Sequence, residues 1–104
     1  PMLPLDKLDA TDLPIVNYYT VHRVGHQLDA EEIHIIPMTT MEPKSVSASQ
    51  LEILNLCDGK RTVQEISAII REKSSDIGTI EEILEGCSRF LADAVRLEIV
   101  RLSK

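Results

Sequence analysis

The sequence predicts an α+β domain: a three-stranded antiparallel sheet followed by three helices. Three observations carry this. Runs rich in β-branched and aromatic residues fall in the first half, at Tyr18–Val24 (YYTVHRV) and Glu32–Ile36 (EIHII). Three helical patterns, each with its own start signal, fill the second half. Pro43 and Asp58-Gly59 punctuate the chain between elements. At 104 residues the chain has the size of one domain, and 43% hydrophobic residues suffice for a core. With one Phe, two Tyr and no Trp, that core rests on Leu, Ile and Val.

Met2–Pro14 (MLPLDKLDATDLP) opens the chain. Two prolines and alternating Leu and Asp make a poor core element, so residues 1–17 are expected to form a flexible N-terminal arm before a domain spanning 18–104. Leu5, Leu8 and Leu13 among Asp6, Asp9 and Asp12 also resemble an acidic, leucine-spaced recognition peptide. The two strand-type runs, joined by the polar stretch Gly25–Glu31, read as a hairpin ended by Pro37. Lys44–Val46 is a third extended piece. Proline has no N–H for a ladder, so Pro43 places this piece at a sheet edge.

Val46–Ile66 (VSASQLEILNLCDGKRTVQEI) is the best-specified stretch. Ser47 with Gln50, or Ser49 with Glu52, can close a capping box. Leu51, Ile53, Leu54, Leu56 and Cys57 then predict a helix that is apolar around much of its girth and hence central. Asp58-Gly59 stops it, since glycine tolerates the left-handed conformation of a helix end. Thr62 and Glu65 box the second helix, which runs to about Lys73 with Val63, Ile66, Ile69 and Ile70 on one side. After a loop at Ser74–Gly78, Thr79 and Glu82 box the third. Its apolar face is Ile80, Ile83, Leu84, Cys87, Phe90, Leu91, Ala94 and Val95. Ile99–Leu102 reads as a short extended or frayed end. A small sheet against three helices gives a winged helix-turn-helix type of α+β domain.

The composition narrows function more by exclusion. The net charge is −6 at pH 7 and no segment is strongly basic, which argues against nucleic acid. A winged-helix DNA-binding regulator remains the alternative reading. Its recognition helix, however, would open on Glu81, Glu82 and Glu85, the wrong sign for phosphates. Cys57 and Cys87 read as buried thiols in a reducing cytoplasm. No apolar run approaches the roughly 20 residues of a membrane helix, and no signal-peptide pattern is visible. His22 and His26 lie on a strand and in a loop, where four-residue spacing does not share a face, so no metal site is expected with His34. Asp58 beside Gly59 is a turn residue, and Lys60 and Arg61 form a solvated tip. There is no phosphate loop, nucleophile elbow or CxxC motif. The expectation is a protein that binds and does not catalyse.

LNLCDGKRTVQEI at Leu54–Ile66, preceded by VSASQLEI and followed by a long helix ending FLADAVRLEIV, resembles the PqqD-like family. These are small recognition elements of ribosomally synthesised, post-translationally modified peptide (RiPP) biosynthesis. The resemblance covers about Val46–Leu102. Glu98 stands where the family often has glycine. The resemblance implies a non-catalytic adaptor, a winged helix-turn-helix that binds the leader of a precursor peptide. It would present that leader to a modifying enzyme, frequently a radical S-adenosylmethionine enzyme. The leader would add as a strand beside the third strand, against the third helix. The iron–sulfur cluster and S-adenosylmethionine would belong to the partner enzyme, with no cofactor in this chain.

An open edge strand independently suits strand addition. Lys44, Ser45 and Val46 are the candidate edge. Ile83, Leu84, Cys87 and Phe90 are the candidate helix wall, with Arg89, Arg96 and Lys44 available to acidic leader residues. An edge strand can also pair with its own copy, which leaves a homodimer open.

Overall fold

The computed structural model describes residues 6–25, 32–73 and 78–103. Along the chain these form β1 (Leu13–Val16), β2 (Tyr19–Val24), β3 (Glu32–Pro37), β4 (Lys44–Val46), α1 (Ala48–Asn55), α2 (Val63–Lys73), α3 (Ile80–Arg96) and β5 (Val100–Ser103). The architecture is α+β, with three helices and two small antiparallel sheets, one ordered β2-β3-β4 and one made of β1 and β5.

The three-stranded sheet follows the expected strands. Ile33, Ile35 and Pro37 of β3 are buried while Glu32, His34 and Ile36 are more open, the period-2 alternation of a sheet with one covered face. His34 lies opposite His22 on β2 and Ser45 on β4. The expected loop between β2 and β3 lies, apart from Gly25, outside the described residues, as does most of the loop before α3.

The helices start where their caps dictate. Of the two serine frames, Ser47 is the one used: its side chain accepts from the Gln50 N–H, and the Ser47 N–H donates to Gln50 Oε1. Thr62 and Glu65 bond reciprocally at the start of α2, and Thr79 and Glu82 at the start of α3. Leu51, Ile53 and Leu54 of α1 are buried with Val63, Ile66 and Ile70 of α2 and Leu91 of α3, so the core lies among the helices and under β3. Ser67, buried in α2, donates its hydroxyl to the Val63 carbonyl 2.8 Å away. Among the described residues no helix is long and apolar enough to cross a membrane.

The expected order, strands then helices with a free arm in front, is met only in part. From Asp6 onward the arm is built into the fold. Leu8 is 3% exposed and its N–H donates to the Ser88 carbonyl on α3. The first N–H groups of a helix have no partner within it. Here the Ala10 carbonyl accepts from Gln64 and the Asp12 carbonyl from Val63, so the arm caps α2. Leu13–Val16 then pairs with Val100–Ser103, so the end expected to be extended or frayed is extended, with Leu13 opposite Ser103.

The Asp58-Gly59 turn is clasped against this second sheet. Gly59 has φ +78°, and its N–H donates to Pro14 O at 2.9 Å. A Cβ here would stand 3.2 Å from Ile15 Cδ1, so both conformation and space call for glycine. The end of α3 is a Schellman motif. The Glu98 N–H bonds to Val95 O, the Ile99 N–H to Ala94 O, and Glu98 takes φ +62°. Glu98 thus occupies the left-handed position that glycine prefers. Asn17 latches it, donating from Nδ2 to the Glu98 carbonyl at 2.8 Å and from its backbone N–H to Ile99 O.

Candidate functional site

β4 is an edge strand. Lys44, Ser45 and Val46 pair with Ile35, His34 and Ile33 on one side, and among the described residues no strand pairs with the other. Ser45 is exposed on the outer face with His34, Val46 is buried on the core face, and Lys44 is half-buried. In an antiparallel ladder, successive residues point their N–H and C=O alternately toward and away from the partner. The open edge therefore presents the backbone of Ser45, or of Lys44 and Val46.

The helix-wall candidates divide by exposure. Ile83, Cys87 and Phe90 are buried in the core, where the helical period places them. Leu84 is partly buried, and Arg89 is exposed with its Nε 3.4 Å from Glu85 Oε2. Leu84, Glu81, Glu85 and Ser88 line one side of a cleft of about 340 Å³, and Lys7, Leu8, Asp9 and Ala10 line the other. A second cleft of about 300 Å³ lies between Arg23 and Ile33 of the sheet and the α1 residues Ala48, Leu51 and Asn55. Neither cleft combines residues of β4 and α3.

Three further cations in the helical part of the chain have carboxylate neighbours. Arg61 Nη1 lies 2.9 Å from Asp58 Oδ2, Lys73 Nζ 3.1 Å from Glu52 Oε1, and Arg96 pairs with Asp93. The Lys60 backbone N–H, with help from Arg61, holds the Asp58 carboxyl below its ordinary range. Asp58 is therefore a charged turn residue, as its place before Gly59 implied.

The thiols behave as core groups. Burial first, then the neighbouring Cys87 and Asp58, pushes Cys57 up to about 12. Its Sγ donates to Ile53 O at 3.2 Å. Burial also raises Cys87, against a hydrogen bond with Ser67. At neutral pH both remain thiols, whereas nucleophilic and metal-ligating cysteines act as thiolates. Among the described residues, no group of three or more His, Cys, Asp or Glu is placed to hold a metal ion.

Sequence reasoning missed two features near these surfaces. One is the bank of the α3 cleft formed by residues 7–10, which the Leu/Asp alternation disguised. The other is the turn between β3 and β4, where Met41 has φ +59° and is exposed. Nothing in the residue type signals that conformation, since methionine is not among the usual left-handed residues. No protein-family model matches this chain, and no curated protein matches it.

Proposed function

We propose that this chain is a non-catalytic adaptor that binds the leader region of a ribosomally made precursor peptide and presents it to a modifying enzyme. The peptide adds as a strand to β4, and a radical S-adenosylmethionine enzyme is the favoured partner. A winged helix-turn-helix arrangement belongs to the same reading. Two things support it: the resemblance carried by LCDGKRTVQEI and its flanks, and the outer edge of β4, which is the carrying observation. That edge is paired on one side only among the described residues. The buried Ile83, Cys87 and Phe90 restrict what α3 offers to a bound chain. Its contribution falls to Leu84 and Arg89.

The edge is short, which bounds its strength. Each ladder hydrogen bond contributes about 0.5–1.5 kcal/mol net. The few that a three-residue strand can make would leave binding weak once the peptide's ordering cost is included. Side-chain anchors must supply the remainder.

Lys44→Pro and Ser45→Pro, made separately, test the reading. Adjacent N–H groups alternate in direction, so one substitution removes an outward donor and the other a donor to β3. The probe is a set of fluorescently labelled peptides selected for binding to the wild-type chain from a random twelve-residue library. The outward-facing substitution should leave the melting temperature nearly unchanged and weaken these peptides several-fold by fluorescence polarisation. Equal affinity in both folded variants would remove β4 from the mechanism.

A further inference from the structure

We propose that Met38 and Met41 form a second anchor for the same peptide, taking an apolar side chain from the part of the ligand that runs past the Lys44 end of β4. The inference rests on the reading of β4 as the peptide-binding edge and adds a specificity to it: an apolar residue outside the paired segment.

The first observation is where exposed apolar groups gather. Among the described residues the large exposed hydrophobics are Tyr18 (89%), Met41 (61%), Met38 (53%) and Val21. Single exposed apolar residues are ordinary on any surface, whereas clustered ones mark contact sites. The first three lie toward one end of the sheet, Tyr18 on the β2 side and the two methionines in the turn between β3 and β4. The Met38 N–H donates to Tyr18 O at 3.0 Å, and the Met41 N–H donates to Pro37 O at 2.8 Å.

The second observation is the backbone. Met41 holds φ +59°, a conformation that glycine or asparagine adopts at less cost. The exposed methionine side chain gains nothing from burial that would offset this strain. A strained residue with no structural return is a functional candidate.

The third observation identifies the occupant. Met41 precedes Lys44 by three residues, so the methionine turn leads directly into β4. A strand added to a three-residue edge soon outruns its ladder. Past Val46 the chain turns at Ser47 into α1, and past Lys44 it meets this patch. Methionine suits such a place, because its unbranched, polarisable side chain adapts to varied apolar partners.

The test uses the full chain and peptides selected on it from a random twelve-residue library. Affinities are measured by fluorescence polarisation for four proteins: wild type, Met38→Ser/Met41→Asn, the outward-facing proline variant of β4, and Arg71→Ala on the exposed side of α2 as a control. Asparagine tolerates the left-handed backbone, so the double variant should keep its melting temperature. The expected result is a loss of roughly tenfold or more in the methionine variant, the scale of one lost apolar anchor, and none in the control. Unchanged affinity in the methionine variant, with loss in the proline variant, overturns the anchor and leaves the edge reading standing. Insensitivity to proline overturns the edge reading, and the anchor falls with it. If the methionine variant instead loses self-association by sedimentation velocity at unchanged peptide affinity, the patch serves a second copy and the proposal is wrong.

Discussion

Among the described residues, Met41 and Glu98 are the two non-glycine positions with a left-handed backbone, at φ +59° and +62°. Their surroundings differ. Glu98 closes α3 inside a Schellman motif, and Asn17 grips its carbonyl while Arg101 donates to Asn17 Oδ1 at 2.7 Å. Met41 has one backbone bond, to Pro37 O, in a turn whose side chains face solvent. The same local strain is thus explained by closure of the fold at Glu98 and is left unexplained by the fold at Met41. The closed end joins β1, β5, the Asp58-Gly59 turn and the α3 cap. The open end holds β4 and its preceding turn. The first reads as structure and the second as a surface kept for something else.

The largest effect that would break this contrast comes from the closed end. Leu8→Ala should cost about 2–3 kcal/mol, the lower part of the range for a buried leucine, because the adjoining cleft lets water reach the site. Urea denaturation with an unchanged slope would measure it. A loss near zero would return residues 6–12 to the status of a loose arm.

A smaller, pH-dependent effect also belongs to the closed end, where the Cys57 carbonyl accepts from the Val16 N–H. The Cys57 thiol is raised from its ordinary 9.0 to about 12, so the folded protein holds that proton more tightly than the unfolded chain. The associated stability is complete below pH 9 and is lost as pH rises toward 12. Thermal midpoints should fall across that window, less steeply in Cys57→Ala. Parallel profiles for the two proteins would remove Cys57 as the cause.

The smallest effect sharpens the comparison most. Replacing either left-handed residue by glycine relieves roughly 1–2 kcal/mol of strain and costs about 0.5–1 kcal/mol of chain entropy. Glu98→Gly and Met41→Gly should therefore each stabilise the fold by about 0.5–1 kcal/mol. If Met41→Gly destabilises instead, its side chain serves the fold and the two ends are alike.

Local chemistry explains what was legible in the sequence. Capping pairs, the Asp58-Gly59 turn and the β2–β3–β4 order are written within a few neighbouring residues, and so is the edge signalled by Pro43. The β1–β5 pairing was illegible because Leu13 and Ser103 meet from opposite ends of the chain and neither strand carries a long apolar run. Leu8 was hidden by its aspartates. Of the candidate site, the β4 edge could be placed but the helix wall could not. A 3.6-residue period tells which face of α3 is apolar and not what covers it, and for Ile83, Cys87 and Phe90 the covering is the core.

The meeting of Leu13 with Ser103 also sets an order of events during synthesis. Contacts between distant residues form late, after loops between them have closed. A ribosome can release the residues of β2, β3, β4 and α1 while β5 is still unmade, so the edge residues are synthesised before their domain can be sealed. A nascent chain of this protein therefore passes through an interval in which the residues of its pairing edge are made and those that seal the fold are not.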